Sequence, residues 1–155
     1  MDIVDILNPD PYLSHRFGVF FFAGGLIPNP IDFKFQKVQG ISAEVQTETV
    51  NQGGQNLFAH RLPKKINYGN LVLERGFTVG SPLNIEFNEA LSRFRFHPSN
   101  VLVTLFSEIG IPIGAWMYLK AYPVRWKVSD LDAMGSSVAV DTMELAYERF
   151  QIIRI

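Results

Sequence analysis

Three carboxylates near the C-terminus, Asp141, Glu144 and Glu148, are the residues of this chain whose types and spacing most suggest chemistry. On a helix they stand at i, i+3 and i+7 and share one face, an arrangement suited to general acid–base work or a cation. Residues 138–152, VAVDTMELAYERFQI, contain good helix formers such as Met143, Leu145 and Ala146. On a strand the same residues separate. Met143, Leu145 and Tyr147 take one face, and Thr142, Glu144, Ala146 and Glu148 the other. Asp141 and Glu144 then point apart, while Glu144 and Glu148 lie about 13 Å apart, too far for a dyad. Val138 and Val140 at the start and the Gly-Ser-Ser turn before them favour the strand. The carboxylates then form a charged wall. Asp132 with Asp141 is the remaining pair open to an enzymatic reading, and no motif supports it.

Other chemistry is sparse. His15, His60 and His97 stand in no metal-ligand spacing, and the chain has no Cys. Thiolate sites, disulfides and Cys nucleophiles are thereby excluded, and neither a metal nor a cofactor is expected. No GxSxG elbow and no GxxxxGK[ST] loop is present, and Gly53-Gly54 reads as a turn. Two basic clusters remain. His60, Arg61, Lys64 and Lys65 fall in a polar excursion; Arg93, Arg95 and His97 follow a helix, where cations complement the macrodipole and Phe94 turns inward.

The 155 residues fit one domain, 1–155, with 47% hydrophobic and 19% charged residues and a formal net charge of −1. That charge gives no electrostatic basis for binding nucleic acid or an anionic membrane. Thirteen Phe suit sheet faces and subunit contacts. The acidic start MDIVDIL does not read as a secretory signal, and the most apolar stretch, 19–31, is too short and too broken by Gly and Pro to span a bilayer. Synthesis in the cytoplasm is the expectation.

Residues 1–13 read as an N-terminal arm with Pro9 and Pro11, and 15–22 as a strand. Residues 33–50 alternate, with Gly40 marking a bend between two strand halves. From about 46 to 69 the chain forms a protruding hairpin or long loop around NQGGQN. Strands follow at 70–77, 100–107 and 114–128, the last demoted by Pro123 to an edge or bulged strand. The helix lies between them: Ser81 caps it, Pro82 takes its first position, and Ile85, Phe87, Leu91 and Phe94 supply its apolar face. The sum is a mainly β fold, an antiparallel sandwich or barrel of six to eight strands with one flanking helix.

The run 114–150 resembles the tail tube proteins of contractile phages and of phage-like contractile injection systems. The matching features are the strand with Trp116, AYPVRW at 121–126, SDLDA at 129–133 and VAVDTMELAYE at 138–148. Upstream, FGVFF at 17–21, VQGIS at 38–42, the turn with Gly54 and Asn56, LPKK at 62–65 and LERG at 73–76 match in order. The resemblance implies a structural protein without catalytic residues. Six copies would close into a ring, and rings would stack into a hollow inner tube. Its partners would be itself, sheath, baseplate and spike-hub proteins, with cargo or DNA passing through the lumen and no membrane. The long hairpin would reach a neighbouring subunit or ring, which assigns Asn51, Gln55, Asn56, His60, Arg61, Lys64 and Lys65 to a subunit interface. Glu144 and Glu148 would face lumen or interface. The arm and the stretch 27–33 depart from the family pattern and would suit a tube-initiating ring at the baseplate end. The particle would be a phage tail or an extracellular phage-tail-like machine. The alternative is a small β-barrel that binds carbohydrate or peptide through Trp116, Tyr118, Tyr122 and Trp126.

Overall fold

The computed structural model describes residues 16–23, 27–28, 35–54 and 56–154. The N-terminal arm, most of the stretch 27–33, and Gln55 lie outside the described residues. Within them the strands are β1 (Phe17–Ala23), β2 (Ile27–Pro28), β3 (Lys37–Gln39), β4 (Ala43–Val50), β5 (His60–Tyr68), β6 (Leu71–Gly76), β7 (Ser99–Phe106), β8 (Pro112–Val128), β9 (Val140–Ala146) and β10 (Arg149–Arg154). One helix, α1 (Pro82–Arg93), separates β6 from β7.

Every pairing is antiparallel, and the long strand β8 organises them. Its first half is flanked by β7 and β10; its second half pairs with β9, beyond which lie β6 and β3. Strand β8 turns a corner at Lys120, a non-glycine residue at φ 53°. Here β8 carries one extra residue, Leu119 and Lys120 lying opposite the single Asn100 of β7, and Asn100 accepts the Lys120 backbone N–H on Oδ1 at 3.2 Å. The expected irregularity at Pro123 is a bulge: the register with β9 shifts between Pro123 and Arg125.

The corner folds the two halves over one core. From one half come Phe21, Val101 and Tyr118 in one cross-strand row and Val19 and Val103 in the next. From the other come Leu71 with Leu145 and Leu73 with Met143. This is the antiparallel sandwich that the alternation implied.

The C-terminal carboxylate stretch is strand, as its β-branched start indicated. Instead of one strand it makes two, broken at Tyr147–Glu148, where the chain follows β8 around its corner. The interruption keeps pairing: the Glu148 N–H donates to the Leu119 carbonyl at 3.0 Å.

Helix α1 departs from expectation in its buried face. Leu83, Phe87 and Ala90 are buried, while Ile85 and Leu91 are exposed. Phe94 does not turn inward. It holds the left-handed C-cap position at φ 54°, the Arg95 N–H donates to the Glu89 carbonyl behind it, and the ring is left 84% exposed. Pro82 opens the helix as expected, but Ser81 makes no side-chain cap. Its hydroxyl instead accepts from Arg75 at 2.8 Å.

Candidate assembly surfaces

Strands β3 and β6 pair in the main sheet, and their continuations β4 and β5 leave it as a hairpin whose strands, among the described residues, pair only with each other. The bend is enforced at Gly40, at φ +85°, where a Cβ would lie 1.9 Å from the Asn70 carbonyl oxygen. An aromatic cluster anchors the hairpin's base. Tyr68 packs against Tyr147 and Phe150, and the Tyr147 hydroxyl donates to the Gly69 carbonyl at 2.6 Å. Burial, reinforced by Tyr68, pushes the Tyr147 phenol up to about 12. Tyr118, stacked edge-on to Tyr147 at 4.6 Å, is pushed up as well, by burial first and then by Tyr147.

Beyond that base the hairpin is exposed on both faces. Of the residues expected in a protruding hairpin or long loop, His60, Arg61, Lys64 and Lys65 all stand on β5, and Asn51 and Asn56 in the tip. The register opposes Val45 to Ile66, Glu48 to Leu62 and Thr49 to Arg61, with a bulge at Lys64. Arg61 donates to Thr47 Oγ1 at 3.1 Å. Val45, Val50, Leu57, Phe58, Leu62 and Ile66 are all exposed. An isolated two-stranded ribbon is marginal in water, and this one leaves a run of apolar side chains bare to solvent.

A second surface is the outward side of the sheet half formed by β3, β6, β9 and β8. Two cross-strand rows cover it: Gln39–Val72–Glu144–Arg125 and Lys37–Glu74–Thr142–Lys127. Glu144 accepts from Asn70 Nδ2 at 2.8 Å and lies 3.9 Å from the Arg125 guanidinium. Neighbours of opposite sign thus alternate across the face. Glu148 is elsewhere, at the corner, 3.5 Å from the Lys120 ammonium. The two glutamates share no site.

On the inward side of the same strands, Arg75 and Asp141 are opposite each other and almost fully buried. Arg75 also donates to Asn84 Oδ1 at 3.0 Å and lies over the Phe35 ring. Burial pushes the Asp141 carboxyl up, while the Arg75 guanidinium and the Trp126 indole pull it down. This pair was missed in the sequence. The signal was there: Leu71, Leu73, Arg75 and Asp141, Met143, Leu145 are two alternating columns, each including one charged residue. Asp141 and Glu144 point to opposite faces, and Asp132 sits in an exposed turn. Among the described residues no group of three His, Cys, Asp or Glu side chains gathers to hold a metal.

The aromatic residues of β8 form no common platform. Tyr118 is wholly buried and Trp116 packs on the core, whereas Tyr122 stacks on Phe96 and Trp126 borders a cleft of about 390 Å³ beside α1.

The sequence profile of the family described as T4-like virus tail tube protein gp19 matches residues 14–151. No curated protein matches. Among solved structures, a chain from the cryo-EM structure of the anti-feeding prophage (AFP) baseplate, 6-fold symmetrised, is 37% identical, with a TM-score of 0.88 over 95% of this chain and 98% of that one. A chain of the PVC sheath–tube complex of an extracellular contractile injection system, in its extended state, is 18% identical, with a TM-score of 0.80 over 100% and 99% of the two chains. Hcp1 from Flavobacterium johnsoniae shares the fold at 16% identity and a TM-score of 0.55, over 88% of this chain and 94% of that one.

Proposed function

The chain belongs to the T4-like virus tail tube protein family, and from that premise we propose that six copies close into a ring at the baseplate end of the inner tube of a contractile injection system. It is a structural, tail tube- and baseplate-related component. The observation that carries the baseplate position is the 37% identity, over 95% of this chain, to a chain of the six-fold symmetrised AFP baseplate, against 18% to a chain of the PVC sheath–tube complex. The hairpin supports assembly on physical grounds, since its apolar side chains are exposed and, among the described residues, its two strands pair only with each other. Its interface residues are Asn51, Gln55, Asn56, His60, Arg61, Lys64 and Lys65.

The polar rows on β3, β6, β9 and β8 make the lumen wall in this reading. Glu144 stands opposite Arg125 and Glu74 opposite Lys37, and Lys127 is the cation these pairings leave over on each copy. Sheath, hub and further tube rings are the neighbours.

Cryo-electron microscopy of the purified chain, and of particles bearing a tagged copy, tests both parts. Six-fold rings and a single tagged layer next to the baseplate are expected. A strictly monomeric chain at high concentration would refute the ring, and label along the whole tube would refute the baseplate position.

A further inference from the structure

The cleft beside α1 joins a buried carboxyl to half-exposed aromatic walls. Its volume, about 390 Å³, falls among those of small-molecule sites. Phe87 and Asp141, both almost fully buried, lie at its floor, and Phe77, Leu91 and Trp126, each about half exposed, wall it. We propose that this cleft binds a small planar aromatic molecule carrying one neutral N–H or O–H donor, its ring against Phe77 and Trp126 and its donor on Asp141 Oδ1. The site stands apart from the ring reading above and does not depend on it.

The walls belong to paired structure, so no ligand is needed to form them. Phe77 directly follows β6, and its N–H donates to the Ala139 carbonyl at 3.0 Å. Trp126 is held opposite Met143 in the β8–β9 ladder, on the same inward face as Asp141. Phe87 and Leu91 are one turn apart on α1 and share a face. A flat ring laid against these side chains takes their apolar surface out of water and meets aromatic faces it can stack on.

The carboxyl decides the polar part of the ligand. Asp141 stands opposite Arg75, whose guanidinium supplies its counter-charge, and the Trp126 indole N–H also bonds to the carboxyl. Even so, Asp141 Oδ1 is buried with no hydrogen-bond partner among the described residues. The amide oxygens of the cleft do have donors: Asn84 Oδ1 accepts from Arg75 at 3.0 Å, and Asn88 Oδ1 from the Ser92 hydroxyl at 3.0 Å. A buried acceptor left without a donor costs stability, and a ligand that satisfies it recovers that cost. A second cation would bury an unbalanced charge beside Arg75, and an anion would be repelled by Asp141. One neutral donor meets Oδ1 with no charge left over. Such a site rejects a ligand of the same shape without the donor, because Oδ1 is then covered and still unpaired.

Indole and benzothiophene share one outline, and only indole has an N–H. Each is titrated into the 15N-labelled full-length chain while the side-chain N–H signals of its two Trp are followed, with Trp116→Phe to assign them. Indole should move the Trp126 signal, leave that of Trp116, and bind about tenfold more tightly than benzothiophene. In Arg75→Met/Asp141→Leu, which exchanges the buried pair for apolar groups, that preference should vanish. Leu91→Trp, at a half-exposed helix position where the fold is spared, should fill the cleft and weaken indole binding by about tenfold or more. It keeps the test decisive if the double variant fails to fold. Equal affinity for the two probes overturns the proposal and leaves water as the partner of Oδ1. So does a preference that survives the double variant, a response at Trp116 alone, no response to millimolar indole, or indole binding untouched by Leu91→Trp.

Discussion

Replacing Gly40 by Ala tests whether one backbone contact aims the hairpin. The φ of +85° costs a residue with a Cβ about 1–2 kcal/mol. The steric term is larger. A Cβ at 1.9 Å from the Asn70 oxygen has to recover an ordinary contact distance, so the Asn70 backbone must retreat by about 1.5 Å. That neighbour is main chain and has no rotamer to escape into. Strands β3 and β6 pair at only three positions beside it. Parting them loses two or so hydrogen bonds at about 1 kcal/mol each. The expected total is about 3–5 kcal/mol, or roughly 10 °C in Tm for a domain of this size. Gly110→Ala isolates the conformational part, because Gly110 has φ +83° and nothing within 4 Å of the added carbon. Urea unfolding of the two variants, at a concentration where the wild type is monomeric, should place Gly40→Ala at least about 2 kcal/mol below Gly110→Ala. Equal losses would refute the reasoning, since the close approach to Asn70 would then contribute nothing.

Three further outcomes follow from buried polar groups. Arg75→Met should destabilise by about 3–5 kcal/mol at pH 7, because Asp141 is left buried without its cation. The Asp141 pKa, already raised by burial, rises further in that variant, so the deficit should shrink as pH falls from neutrality toward the carboxylate range; urea midpoints at pH 7 and 5 check this. Tyr118→Phe should be neutral or raise stability by about 1 kcal/mol, since the Tyr118 hydroxyl is buried with no hydrogen-bond partner among the described residues; a loss above that size in the same assay would show that it has one. Tyr147, held up to about 12, keeps its proton where an unfolded phenol loses it. Stability should therefore be intact below about pH 10 and fall above it, with Tyr118 adding to the loss because its phenol is raised too, and Tyr147→Phe should make that fall shallower.

What the sequence disclosed followed local rules. Period-two alternation is visible wherever one face is buried, so β6, β9 and the first half of β8 were legible, as was the bend at Gly40. Strand β5 was not: RLPKKIN has both faces in solvent, so no alternation marks it, and its partner β4 is supplied by pairing across a nine-residue tip. The helix was legible in place but not in facing. Its sequence holds more apolar residues than one contact face can bury, and only the column Leu83, Phe87, Ala90 meets the sheet. The corner at Lys120 had no local signal, because lysine is not a residue of left-handed turns; it comes from the way β7, β9 and β10 grip β8. Among the site residues, Glu144 and Glu148 seemed equivalent by spacing. The break at Tyr147 gives them different partners, Asn70 with Arg125 for one and Lys120 for the other.

The same geometry fixes where the hairpin leaves the body and leaves its far end without support. The hairpin's base is secured by the Tyr68, Tyr147 and Phe150 cluster and by the bond to the Gly69 carbonyl. From there to the tip, among the described residues, its strands pair only with each other, with both faces in water. The aromatic base thus fixes where the hairpin starts. On the ring reading proposed above, the burial that orders its far end would come from a neighbouring copy, so docking would cost the ordering entropy of the tip and a single such contact would be weak.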